Sequence, residues 1–393
     1  MIIGLVGKPS VGKSTFFKAC TLIDVAIASY PFTTIKPNTG IGYVRIDCID
    51  KEFGAQCNPR TGYCINHQRF VPVELIDVAG LVEGASRGKG LGNQFLDDLR
   101  QADVFIHIVD VSGETDLEGK PVKDYNPVID VKMLENELDL WYAGILQKVW
   151  KEFSRTVQST KENFSRAVAK QFSGLKVCED DVKTVLIRGK YDTANPSKWT
   201  NEQIYNFAHE LRHLTKPMII AANKSDRPNS QENLEKLREG YPELLILPCS
   251  ADSELALREA SKAGLIEYIP GNKDFRIIKE LNEKQTQALE SIGRNVLGKY
   301  DSTGVQSILN SAVFDLLKYI AVFPAGAHKL ADSKGNILPD CFLVPEGTTA
   351  LDFAFKLHTD LGRNFIKAVD ARTKQVVGKD HKLKHRDGIE IIV

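Results

Sequence analysis

Gly7-Lys8-Pro9-Ser10-Val11-Gly12-Lys13-Ser14 is the stretch on which the reading of the whole chain turns. It fits the pattern G-x-x-x-x-G-K-[ST], with a short apolar run from Met1 to Val6 before it and a helix expected from about Lys13 after it. That strand, loop and helix order is the setting phosphate binding requires. Glycines let backbone N–H groups turn inward around a β-phosphate, and the helix N-terminus adds the positive end of its dipole. In this reading Lys13 reaches the β- and γ-phosphates, Ser14 ligates Mg²⁺, and Gly7, Lys8, Pro9, Ser10, Val11, Gly12 and Thr15 complete the nucleotide-binding loop.

Working outward, further buried strands are expected at Val71 to Ile76, Val104 to Val109, Met218 to Ala222 and Leu244 to Pro248, each followed by a polar or glycine-containing segment. Strands alternating with helices imply an α/β fold with a parallel sheet covered on both faces. A triphosphate site also needs groups that sense the γ-phosphate and its metal. Thr34, in Thr33-Thr34, is placed in the Mg²⁺ shell, Asp77 holds the metal through water at the end of a strand, and the Gly80 N–H meets the γ-phosphate. Catalysis is thereby assigned to Lys13, Thr34 and Gly80.

Asn223-Lys224-Ser225-Asp226 follows another strand, and N-K-x-D spacing sets a carboxylate to accept two hydrogen bonds from guanine, a pair adenine cannot supply. An unpaired buried carboxylate is costly enough to discriminate strongly. Asn223 and Lys224 hold the loop and flank the base. Ser250 and Ala251, after the next strand, offer a backbone N–H to guanine O6.

The interval from Ser112 to Lys216 behaves differently. Val131, Leu134, Leu138, Trp141, Ile145, Val149, Phe153 and Val157 recur at spacings of three and four and predict one long helix in a helical hairpin, coiled-coil-like, inserted into the α/β domain. Thr200 and Gln203 form a capping box for a later helix. From Lys318 the pattern changes to strands at Tyr319 to Phe323, Cys341 to Val344, Phe365 to Val369 and Gly388 to Val393, with a helix from Thr349 to His358. The expected division is 1–111 and 217–317 for two parts of a G domain, 112–216 for the insert and 318–393 for a terminal domain.

These residues together resemble the Obg family of GTPases: Thr33-Thr34, then Asp77-Val-Ala-Gly-Leu-Val-Glu-Gly-Ala-Ser, then Gly90-Leu-Gly-Asn-Gln-Phe-Leu. The insert and the C-terminal segment look like the YchF/Obg-like ATPase branch in particular. The resemblance implies a P-loop NTPase with a Ras-like G domain, and a C-terminal TGS domain of β-grasp fold. It further implies nucleotide hydrolysis coupled to binding of the ribosome or ribosomal RNA. Members that prefer ATP replace the N-K-x-D pattern kept here, so GTP is expected, with a YchF-like ATPase and a ribosome-binding scaffold of negligible hydrolysis as alternatives. Relatives activated by potassium carry Asn where Ser10 stands, and serine has a shorter reach, so K⁺ is only a secondary candidate. Leu81 occupies the place of the water-orienting Gln of Ras-like enzymes, so intrinsic turnover is expected to be slow.

The 393 residues hold 51 Lys+Arg against 51 Asp+Glu and are 42% hydrophobic, which argues against a wholesale nucleic-acid coat or a polybasic membrane binder. No apolar run approaches a membrane span and the start lacks a signal-peptide pattern, so a cytoplasmic monomer with reduced thiols is expected. The zero balance is a cancellation between a mildly acidic G domain and a mildly basic terminal segment. Arg372, Lys374, Lys379, Lys382, Lys384 and Arg386 gather there, either as a solvated face or as a phosphate-contacting patch. His107 reads as a core histidine with a satisfied ring rather than a base. Cys48, Cys57, Cys64 and His67 have zinc-ligand chemistry but no finger spacing, so a reduced loop is preferred and zinc is not expected.

Overall fold

The apolar run before the glycine-rich loop becomes strand β1 (Ile2–Val6), in a computed structural model that describes residues 1–21, 39–78, 100–326, 330–332 and 334–393. Parallel neighbours flank it, β4 (Gln68–Asp77) on one side and β5 (Val104–Asp110) on the other. Strands β6 (Met218–Asn223) and β7 (Leu245–Pro248) extend the sheet in the same direction, giving the order β2-β4-β1-β5-β6-β7. The carboxyl ends of five parallel strands therefore share one edge, the edge at which ligands bind in open α/β sheets.

Beyond β4 the sheet turns antiparallel. β2 (Thr39–Asp47) pairs with it from Thr39↔Ile76 to Asp47↔Gln68, and β3 (Tyr63–Ile65) joins by a tight turn in which Asn66 and His67 both have positive φ. β2 carries two glycines and was not read as a strand. A Cβ at Gly40 would meet Phe17 and Thr21 at 2.7 Å, so glycine here admits close packing of helix α1 (Lys13–Thr21).

The predicted single helix is broken. Helix Val128–Gln147 ends, Val149 is exposed, and a second helix starts at Trp150 and runs to Thr160. Each step of four residues overshoots a full turn by about 40°. The run Trp141, Ile145, Val149, Phe153, Val157 therefore winds around a straight helix, and the break returns it to the core. Trp150 then packs with Trp199 and Phe164, their ring centroids 5.1 and 6.3 Å from its own. Three more helices follow, Phe164–Gln171, Glu179–Gly189 and Asn201–Thr215, the last opened by the expected Thr200/Gln203 capping box. The region between β5 and β6 is thus a bundle rather than a hairpin. Its core is continuous with one face of the sheet, through Val6, Val109 and Val131.

After a short antiparallel ribbon of β8 (Ile266–Glu267) and β9 (Arg276–Ile277), the terminal sheet runs β11-β10-β14-β12-β13, from strands Phe342–Pro345, Tyr319–Pro324, Asp387–Ile392, Lys367–Asp370 and Val376–Val377. β10 and β14 are parallel at its centre and helix Ala350–Leu357 packs on it through Phe353. It does not hang free: Phe323, Leu338, Cys341 and Ala371 share a core with Val44 and Ile46 of β2 and with Ile49 just after it. Glu52 accepts from both Arg372 and Arg386, and the Arg386 Nε–H also donates to the Asp47 carbonyl. Two members of the basic group thus face inward, leaving Lys379, Lys382 and Lys384 exposed.

Candidate nucleotide site

At the carboxyl end of β1 the chain turns through Ser10 and Gly12, at φ 65° and 90°, before α1 begins at Lys13. The first N–H groups of that helix have no partner four residues back, which is the donor array an anion needs. Gly12 is sterically fixed: an added Cβ would lie 2.5 Å from Asn223 Nδ2. Ser14 is exposed on the first turn. Lys13 donates to Asp77 Oδ1 at 2.6 Å and to the Val78 carbonyl at 2.5 Å, so the loop lysine and the predicted metal residue are brought together. Thr34, Gly80 and Leu81 lie outside the described residues.

Lys8 behaves unlike the rest of the loop. Its side chain is buried and turned away, with Nζ 2.9 Å from Asp130 Oδ2, 2.7 Å from the Thr115 carbonyl and 4.0 Å from the centre of the Tyr125 ring. It therefore ties the loop to the start of helix Val128–Gln147. Burial pushes the Asp130 carboxyl up, against the pull of the Lys8 ammonium.

The base end is knitted by Asn223. Its Nδ2 donates to the Val11 carbonyl at 2.7 Å, and its Oδ1 accepts from the Ala251 N–H at 3.0 Å. Without a ligand both backbone N–H groups at Ser250-Ala251 are engaged, the Ser250 N–H donating to the Thr303 carbonyl. Lys224, at φ 63°, donates to Asp110 Oδ2 at 2.7 Å. Asp226 stays half-buried, its carboxylate 3.8 Å from Arg227 Nε and open to a ligand.

Asp110 was missed in the sequence. Buried at the end of β5, it accepts from Lys224, from the Ser112 N–H and hydroxyl at 3.0 and 2.5 Å, and from the Thr115 hydroxyl at 2.8 Å. Burial raises its carboxyl, but Lys224 and Ser112 outweigh that and hold it below the usual carboxylate range. The available signal was an acidic residue closing an otherwise apolar parallel strand. His107 is buried in the same strand, as expected, but its Nδ1 has no hydrogen-bond partner. Burial lowers it to about 3, so the ring is neutral at pH 7.

A phosphate loop, an N-K-x-D base loop and a β-grasp sheet on one chain define a P-loop GTPase of the G-domain type with a C-terminal TGS domain. Three family descriptions match along the chain: a 50S ribosome-binding GTPase over residues 2–136, an Obg-like GTPase YGR210-like, G4 motif-containing domain over 221–326, and a TGS domain over 326–393. A GTP-binding protein of Methanocaldococcus jannaschii is 50% identical over 394 residues, covering 100% of this chain and 98% of the relative. A GTP-binding protein of Schizosaccharomyces pombe is 40% identical, covering 89% and 88%. The ribosome-binding ATPase YchF of Buchnera aphidicola is 29% identical, covering 93% and 86%. The crystal structure of a GTP-binding protein from Pyrococcus horikoshii superimposes with TM-score 0.80 at 40% identity, covering 100% of this chain and 99% of that one. The S. pombe YchF GTPase shares the fold at TM-score 0.60 and 21% identity, with coverage of 100% and 97%. The chain belongs to the Obg-like GTPase family, in its YchF/YGR210-like branch.

Proposed function

We propose that the protein binds GTP with Mg²⁺, hydrolyses it slowly to GDP and phosphate, and uses the two nucleotide states to switch contact with the ribosome. The observation that carries the GTP reading is Asp226, half-exposed beyond β6 on a loop fixed by Asn223 and Lys224. A carboxylate so placed accepts from guanine N1–H and its exocyclic amine, and faces adenine without a matching donor pair. Lys13 leaves Asp77 to meet the β- and γ-phosphates. Ser14, Thr34 and Asp77 serve the metal, the Gly80 N–H meets the γ-phosphate, and Ser250 and Ala251 shape the pocket beside guanine O6. Phosphoryl transfer rests on positioning and charge neutralisation, so Lys13 and Mg²⁺ suffice for slow turnover without a glutamine at Leu81.

The working division is a G domain at 1–111 and 217–317, an insert at 112–216 and a TGS domain at 318–393, acting as a cytoplasmic monomer. Among the described residues no helix is long and apolar enough to cross a membrane. The ribosomal partner is supported by the exposed Lys379, Lys382 and Lys384 and by the names of the YchF relatives. Those names also favour ATP use as a second reading. The test is Asp226→Asn with GTP, ATP and xanthosine triphosphate, with and without ribosomal subunits. GTP affinity falls about 100-fold and xanthosine nucleotide gains, because the swapped amide now matches a second carbonyl. Tighter ATP than GTP binding by the wild type sinks the proposal.

A further inference from the structure

At the far end of β2 from the nucleotide-binding machinery, one cluster of side chains is built from different chemistry. β2 ends at Asp47, and the chain passes Cys48, a short 3₁₀ turn over Ile49–Phe53 and Cys57 before returning as β3 with Cys64. The hairpin turn at Asn66-His67 closes the corner, with the Cys48 N–H donating to the His67 carbonyl at 2.7 Å. This folding carries residues sixteen apart in the chain to one point: one ligand atom each from Cys48, Asp50, Cys57 and Cys64 lie within 4.8 Å of one another. Cys48, Asp50 and Cys57 are buried and Cys64 partly so.

We infer that Cys48, Cys57, Cys64 and Asp50 form a structural zinc site that braces the β2–β3 corner against the C-terminal domain. Zn–S bonds of about 2.3 Å in a tetrahedron set sulfurs about 3.8 Å apart. The Cys48 and Cys57 sulfurs stand at 3.5 Å and Cys64 Sγ is 3.9 Å from Asp50 Oδ2, so the donor spacing already suits a tetrahedral ion. Finger spacing is absent from the sequence because three ligands come from a wide loop and the fourth from the returning strand.

The surroundings hold the donors as metal sites do. Asp50 Oδ1 lies 2.9 Å from His67 Nδ1, and its Oδ2 accepts from the Cys57 N–H at 2.9 Å. A fully buried carboxylate facing three thiols calls for a cation. Arg69, itself fully buried, donates to Cys57 Sγ at 3.5 Å, which offsets the surplus negative charge of three thiolates and one carboxylate around a divalent ion. The same Arg69 guanidinium donates to the Leu338 and Pro339 carbonyls at 3.0 and 3.1 Å, and Asn58 donates to Asn336 Oδ1 at 3.0 Å. Fixing Cys57 thus fixes the segment that leads into β11. A second group, Asp139 with His209 and His213, lacks this character, because the buried Arg212 already occupies its negative charge through Asp139 and Glu135.

Metal analysis of the full chain, purified under reducing conditions, tests this. About one zinc per chain is expected, released when the thiols are modified. Cys57→Ser and Cys64→Ser lower the zinc content roughly tenfold or more, whereas Cys178→Ser, at an exposed thiol elsewhere, leaves it unchanged. Should the variants fail to fold, cobalt substitution of the wild type decides: a thiolate-to-cobalt charge-transfer band supports the site. Wild type without stoichiometric zinc and without that band, a Cys48–Cys57 disulfide under the same conditions, or full zinc retention in both serine variants overturns it. None of these readouts depends on GTP, so the nucleotide reading stands or falls separately.

Discussion

The two ends of the nucleotide site are built on different terms. At the base end every polar atom of Asn223 is engaged, and Lys224 is held by an Asp110 that is itself held by Ser112 and Thr115. At the phosphate end Lys13 rests on Asp77 and the Val78 carbonyl. Base recognition is therefore prepared before the ligand arrives, and little ordering has to accompany it. On the proposed function, phosphate and metal recognition would instead require an exchange, with Lys13 and Asp77 trading one another for a phosphate and a hydrated ion. Selectivity would then belong to the end already held by hydrogen bonds and switching to the end where Lys13 has to change partners.

The sharpest way to break this contrast is Asn223→Ala. The Val11 carbonyl and the Ala251 N–H, both buried and bonded to that amide among the described residues, then lose this partner, at about 1–3 kcal/mol each. Calorimetric titration is expected to show GDP and GTP affinity falling together by about 100-fold. A loss confined to GTP would mean that Asn223 belongs to the switching end after all. Asp77→Asn probes the other side with a smaller effect. It frees Lys13 from its ion pair and weakens the metal position, so Mg²⁺·GTP affinity drops about tenfold while GDP affinity in chelator holds or rises slightly. Equal losses for both nucleotides would show that the Lys13–Asp77 pair supports the loop itself rather than waiting to be exchanged.

What could be read from the sequence follows the same division by distance along the chain. The loop and helix start at Lys13 and Ser14 and the turn that carries Asp226 were legible because each motif is complete within eight residues and sits at a strand end. The capping box at Thr200 and Gln203 was legible for the same reason. Asp110 was not, because its meaning lies in Lys224, more than a hundred residues on, and the turn of the Lys8 side chain toward Asp130 was not, because Asp130 is equally remote. The long helix failed differently: spacings of three and four were read without following their cumulative rotation. The three cysteines looked like a loop until the turn at Asn66-His67 brought Cys64 back beside Cys48.

The least expected effect concerns the frame beneath both ends. His107 pairs in register with Val6, the residue before the phosphate loop, so its charge state matters to a site that binds anions. Burial lowers it to about 3 in the folded chain, against an ordinary value of 6.5. Between those limits the unfolded chain holds the extra proton, so stability rises with pH: the contribution is fully present above 6.5 and is lost as pH falls toward 3. At pH 5.5, one unit inside the window, the loss is about 1.4 kcal/mol. His107→Leu removes this proton uptake at similar volume. Urea unfolding at pH 7.5 and 5.5 is therefore expected to show the wild type losing about 1.4 kcal/mol more than the variant. Parallel losses would mean that the ring gains its proton in the folded state. The sheet under the phosphate loop would then carry a titrating positive charge, and the exchange at Lys13 would depend on pH from below as well as on nucleotide from above.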